Sequence, residues 1–174
     1  MLTAPDWGIV LSKIGANVPK VAEWSEAEAH LILRQHVGRE GALLPILHDL
    51  QATFGCIPAP AVPFVAEALN LTRAEVHGVV SFYHDFRDKP AGRHVLKICR
   101  AEACQSMNGE AVAQQALDRF GVEWGGTTSD GRLTIEAIYC LGLCSCGPSA
   151  MLDGEPIGRV DEATFDDIAR EVGR

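Results

Sequence analysis

Six cysteines stand at positions 56, 99, 104, 140, 144 and 146 of this 174-residue chain, and their spacing carries its strongest chemical signal. Four residues separate Cys99 from Cys104, three separate Cys140 from Cys144, and 35 lie between the two pairs. A lone cysteine reads most simply as a small buried apolar residue. Two short-spaced pairs, each where a strand pattern runs out into a loop, read instead as a metal-ligand set. Four converging thiolates repel one another unless a metal neutralises them. Zinc usually takes tighter knuckles with two residues between ligands, although wider spacings occur, so a structural zinc assembly module stays open as an alternative. A two-iron cluster is longer than one ion and suits one cysteine pair per iron. On this reading the ligands of one [2Fe-2S] cluster are Cys99, Cys104, Cys140 and Cys144. Cys146 could replace Cys144, since only Ser145 lies between them.

Other chemistries fail on spacing. The plant-type ferredoxin pattern requires a third cysteine two residues after the first pair, where Gln105, Ser106 and Met107 stand instead. A Rieske centre needs two histidines beside its cysteines, and the nearest, His94, is a strand away. No two cysteines have the two-residue spacing of a thioredoxin catalyst. Gly125-Gly126 lacks the strand-to-helix setting of a phosphate loop. No nucleophile and base are paired, so the chain is expected to have no active site of its own. Cys56 reads as a packed or solvent-edge thiol, and His30, His36, His48, His77 and His84 as mostly solvated or hydrogen-bonded.

The elements that position the cysteines follow from local pattern. Ser25 to Glu28 forms a capping box for a helix reaching His36. A second helix spans about Gly41 to Phe54, with Pro45 tolerable only in its opening turns. A third ends near Asn70, and Thr72 with Glu75 caps a fourth carrying Val76, Val79, Val80 and Tyr83 on its apolar side. Residues 85–93, polar and broken by Pro90 and Gly92, read as an interdomain linker. Beyond it the period changes to strand: Val95 to Cys99, then alternating Arg132 to Ile138, then a hairpin around Asp153-Gly154. A helix from Asn108 to Phe120 is expected to open after Cys104 and turn its first amides toward anionic sulfur, and Asp161 caps a last helix. The expected organisation is a leader or docking arm over residues 1–24, a helical module over 25–86 and an α/β domain over 87–174.

Composition narrows the class. Asp and Glu outnumber Lys and Arg by 23 to 15, and no basic stripe offsets the formal charge of −8, which excludes phosphate-backbone binding as a main activity. The longest apolar runs fall far short of the roughly 20 residues that span a bilayer, and no basic n-region precedes them. A cytoplasmic location is therefore expected, where thiols stay reduced.

With those residues in view the chain resembles the thioredoxin-like [2Fe-2S] ferredoxin subunits of complex I-type NADH dehydrogenases, NAD-linked hydrogenases and soluble molybdenum-containing, NAD-dependent formate dehydrogenases. The resemblance rests on Leu43-Leu44-Pro45-Ile46-Leu47, on Gly78 to Phe86, on Cys99 with Cys104, and on Cys140-Leu141-Gly142-Leu143-Cys144. It implies a four-helix module followed by a thioredoxin-like [2Fe-2S] ferredoxin domain, with Cys99, Cys104, Cys140 and Cys144 holding the cluster. It further implies an electron-transfer subunit docked beside a flavin- and NAD-binding iron-sulfur partner, with FMN and molybdenum cofactor only in partner chains. Asp153-Gly154-Glu155 and the hairpin ending in Gly158-Arg159-Val160 look most like the gamma subunit of formate dehydrogenase, whose larger molybdenum-containing subunit would be a second partner. Cys146 is outside the family's four-ligand pattern.

Overall fold

The computed structural model describes residues 23–173, so nearly all of the expected leader lies outside the described residues. Four helices come first: α1 (Glu26–His36), α2 (Leu43–Phe54), α3 (Ala61–Leu69) and α4 (Arg73–Phe82). Their starts follow the capping logic. Thr72 Oγ1 accepts from the Glu75 amide at 3.2 Å while the Glu75 carboxylate accepts from the Thr72 amide at 2.8 Å. Ser25 Oγ accepts from the Glu28 amide at 3.4 Å, one half of the expected box. Ile46, Leu47, Leu50 and Phe54 of α2 are buried against Ala29, Leu33, Val65 and Val76. Trp24, assigned by sequence to the leader, joins this core with its ring 5.3 Å from Phe54 and 5.6 Å from Phe64.

The apolar side of α4 is narrower than its pattern suggests. Val76 is fully buried, but α4 ends at Phe82, and Tyr83 takes extended backbone that carries it off the helical face. Phe82 and Tyr83 are 72% and 43% exposed.

The second half is a four-stranded sheet of order β2-β1-β3-β4, built from β1 (His94–Cys99), β2 (Leu133–Ile138), β3 (Ser149–Leu152) and β4 (Glu155–Gly158). Strands β1 and β2 run parallel from His94↔Leu133 to Cys99↔Ile138, and the other neighbours pair antiparallel. The β1-to-β2 crossover carries α5 (Glu102–Ser106) and α6 (Gly109–Phe120), and α7 (Glu162–Val172) follows the hairpin. Leu96, Ile98, Leu133, Ile135, Ala150 and Leu152 meet Ala113 and Ala116 of α6 and Phe165 and Ile168 of α7 in one core. The result is an α/β sheet domain preceded by four helices, the architecture that the resemblance implies.

Two expectations change here. The alternating β2 pattern predicts one solvated face, yet Leu133, Thr134 and Ile135 are all buried. The segment read as a linker lies over that face and supplies the cover. The buried Thr134 Oγ1 accepts the Gly92 amide at 2.7 Å and bonds Thr127 Oγ1 at 2.8 Å. The Arg87 guanidinium grips Glu136 of β2 with two bonds of 2.6 and 2.9 Å, and Lys97 of β1 meets Asp85 at 2.8 Å. On the helical side Gln51 accepts from the Arg87 amide at 2.7 Å and donates to the Asp85 carbonyl at 2.6 Å. The segment is thus stitched to both halves. Replacing Thr134 by the isosteric valine leaves the Gly92 amide without its acceptor, and we expect about 2 kcal/mol of lost stability, read as a lower urea midpoint.

Candidate metal centre

Parallel pairing explains why the cysteines meet. Cys99 ends β1 and Cys140 lies two residues beyond the end of β2, so both loops leave the same end of the sheet from strands about 4.8 Å apart. Cys99 and Cys104 are buried, at 2% exposure each, and Cys140 and Cys144 are exposed. The Cys140 and Cys144 sulfurs are 3.7 Å apart. Cys144 opens a short 3-10 turn, Cys144–Cys146. The loop between the two residues bends through the left-handed region at Cys140 (φ 74°) and at Gly142 (φ 78°). Glycine adopts this conformation without penalty, whereas a residue with a Cβ is strained by it, so Cys140 is held there by the surrounding loop.

The first pair differs from expectation. The helix foreseen after Cys104 is α6, but an additional short helix, α5, precedes it and contains Cys104, and Asn108 in left-handed conformation (φ 66°) separates the two. The amides around sulfur therefore come from the loop ends. Burial pushes the Cys99 thiol up, but amides of Ala101, Cys140 and Leu141, together with the Cys104 side chain, outweigh it and hold the thiol below its ordinary range. Amide donors from both loops thus converge on one sulfur and favour its thiolate. Cys144 moves the opposite way. Its hydrogen bond with Cys140 raises it first, the negative charge of Cys140 next, and charges at Cys104 and Cys99 add to the push. Cys144 thus senses the other three cysteines, as expected for an anionic donor set that a cation would relieve.

Among the described residues, no group of three or more His, Cys, Asp or Glu side chains is closed up about one point. The thiols come as two pairs. Cys104 Sγ also lies 3.5 Å from Ser149 Oγ, a buried hydroxyl on β3. Such a donor set, sulfur-only and paired, fits a two-iron cluster.

The remaining sequence candidates have other neighbours. Cys146 packs against β4: a Cβ placed on Gly158 would stand 2.9 Å from the Cys146 Cβ, and the Cys146 carbonyl accepts the Arg159 amide at 2.6 Å. Cys56 is buried in the helical half, where desolvation and then Asp88 raise its thiol. His36 bonds Asp49 and His94 bonds Asp153, both at 2.6 Å, while His30 meets Phe64 edge-on and His48 lies tilted against Phe86. His94, at the opposite end of β1, is about 17 Å from Cys99 along an extended strand. Sequence reasoning missed three surroundings of the thiols: Ser149, the positive φ of Cys140, and the close approach of Gly109 to Cys104, where an added Cβ would meet the carbonyl oxygen at 2.5 Å. Glycine directly before a helical apolar pattern was the available signal for the last.

Known proteins agree with this architecture. An NADH-quinone oxidoreductase subunit from Mycobacterium bovis is 34% identical over 137 residues, covering 79% of this chain and 54% of the relative. This chain thus spans about half the length of that relative. The HndA subunit of an NADP-reducing hydrogenase from Solidesulfovibrio fructosivorans is 32% identical, covering 76% of this chain and 78% of the relative. The corresponding NADH-quinone oxidoreductase subunit from Escherichia coli is 33% identical, covering 75% and 81%. The crystal structure of an NAD+-reducing [NiFe]-hydrogenase in the air-oxidized state superimposes with a TM-score of 0.64 at 26% identity, over 75% of this chain and 22% of that one. Among the described residues no helix is long and apolar enough to cross a membrane. The family pattern of thioredoxin-like [2Fe-2S] ferredoxins runs through residues 29–173, across the helices and the cysteine-bearing sheet alike, and this chain belongs to that family.

Proposed function

We propose that this chain is an electron-transfer subunit whose Cys99, Cys104, Cys140 and Cys144 hold one [2Fe-2S] cluster and which exchanges electrons with the flavin of an NAD-binding partner. The observation that carries the reading is the meeting of two thiol pairs at one end of a parallel strand pair. When bound, such a cluster supplies one-electron redox chemistry. The chain's own part would be to present the two thiol pairs together, to favour the Cys99 thiolate with amides from both loops, and to keep one pair buried while the other is exposed toward a docking partner. The charge of −8 favours a low potential, because an added electron enters a negative field.

The division at residues 86 and 87 is part of this proposal, and the two separate apolar cores support it. So is a cytoplasmic setting. The finer reading places the subunit in an NAD-dependent formate dehydrogenase with a larger molybdenum-containing chain, supported by the likeness of the 153–160 hairpin. A second reading, the equivalent subunit of a respiratory NADH-quinone oxidoreductase or NAD-linked hydrogenase, is favoured by what the relatives are named.

Iron and acid-labile sulfide assays, visible absorption and the paramagnetic signal of the reduced state test the cluster. We expect about two irons and two sulfides per chain. A colourless chain holding one zinc would instead establish the assembly-module reading. Purification with partner chains separates the finer readings: formate-driven NAD reduction supports the first, and NADH-driven quinone reduction or hydrogen-linked NAD reduction the second.

A further inference from the structure

Each cysteine of the first pair is followed immediately by a polar residue, Arg100 after Cys99 and Gln105 after Cys104, and both reach the same carboxylate. Arg100 Nη2 lies 3.2 and 3.4 Å from the two Glu110 oxygens, and Gln105 Nε2 donates to Glu110 at 3.2 Å. Gln105 Nε2 also stands 3.5 Å from the Arg100 carbonyl. The guanidinium is stacked over Trp124, with Cζ 5.0 Å from the ring centroid. The placement follows from the strand: Leu96 and Ile98 face α6, Lys97 faces the linker, and Arg100, still bonded through its amide to the Ile138 carbonyl, continues the α6-facing row.

Bulk stability does not account for this arrangement. Glu110 is 59% exposed, and an exposed ion pair contributes little. Arg100 Nε, moreover, is buried without a hydrogen-bond partner among the described residues, which costs free energy. A cation held at such a cost beside a ligand-bearing loop points to a task in that loop.

We propose that Arg100, Gln105 and Glu110 form a clamp that fixes the separation of Cys99 and Cys104, acting as positioning residues for the metal-bearing loop. The proposal rests on the cluster reading above and deepens it. Glu110, anchored on α6, ties the two residues that follow the ligands to one point, so neither cysteine can move away from the other without breaking a bond to it. The cation and the carboxylate also balance each other's charge next to the thiolates.

The full-length chain is loaded with iron and sulfide, and the first-order loss of visible absorption in excess chelator is measured for wild type, Arg100→Gln, Glu110→Gln and the double variant. Each single change should speed loss about tenfold, the lower end for groups that orient metal ligands. The double variant should lose its cluster no faster than the faster single, because the second change finds the clamp already open. Arg100→Lys, which keeps the charge without the fork, should fall between wild type and Arg100→Gln. The reduction potential should fall in Arg100→Gln and rise in Glu110→Gln, a split in sign that general loosening of the fold would not produce. Release at the wild-type rate in both singles, rates that multiply to about a hundredfold in the double variant, or potentials moving the same way each overturn the clamp. A wild-type chain that takes up no iron and sulfide overturns the cluster reading itself and the clamp with it.

Discussion

Serine in place of Cys99 should abolish the visible absorption of the iron- and sulfide-loaded chain while leaving its helical signal in place. Cys99 is 2% exposed, and its sulfur receives amide donors from both cysteine loops. A serine hydroxyl at that point does not ionise near neutral pH, so the amides lose their anion and the metal loses a thiolate. Loss of a direct ligand should exceed the 10- to 100-fold effects known for outer groups, so affinity should fall by roughly a hundredfold or more. Cys104→Ser, Cys140→Ser and Cys144→Ser should behave alike, and Cys146→Ser should keep the full spectrum because Cys146 packs against Gly158. Iron content and visible absorption of the five variants provide the measurement. Retention in Cys144→Ser with loss in Cys146→Ser would reverse the assignment of the fourth ligand.

Features governed by a few neighbouring residues were legible from the chain itself. Thr72 and Glu75 close their capping box, Asp153-Gly154 turns the hairpin, and Asp161 accepts the Thr164 amide at 2.9 Å to start α7. The cysteine pairs were legible as pairs for the same reason. Their convergence was expected from chemistry alone, since one ligand set has to meet; the register that positions them, His94↔Leu133, was not legible, because it is set by strands that are far apart in sequence. The second buried face of β2 was hidden likewise: its cover, Arg87 and Gly92, lies 49 and 42 residues upstream of its partners and reads as polar linker until Glu136 and Thr134 are seen to bind it. Helix α5 was missed because its five residues are too few to show a helical period, and intrinsic propensity alone rarely sustains so short a segment. Tyr83 was placed on the wrong side because the apolar period of α4 continues past the point where the helix stops.

The close approach of α6 to the Cys104 turn gives the second large expectation, since there helix propensity and sterics oppose each other. Gly109 is the first residue of α6, where propensity alone favours alanine by about 1 kcal/mol. A Cβ at Gly109, however, would stand 2.5 Å from the Cys104 carbonyl oxygen and 2.8 Å from its carbonyl carbon. Both are backbone atoms, and that carbonyl already accepts the Met107 amide at 3.1 Å, so no flexible side chain can yield. Relief requires α6 to slide or the Cys104 turn to move, and overpacking of this kind costs about 1–3 kcal/mol. The steric term should win, leaving Gly109→Ala destabilised by up to about 2 kcal/mol in urea unfolding. Because the displaced atoms belong to Cys104 itself, chelator-driven loss of iron should accelerate in the same variant. Gly78, exposed inside α4 with nothing within 4 Å of its Cβ position, isolates the opposing term. Gly78→Ala should stabilise the chain by up to about 1 kcal/mol and leave iron release unchanged. Equal stabilisation at both positions would mean that the turn between α5 and α6 gives way freely, and the packing of α6 would then play no part in holding Cys104.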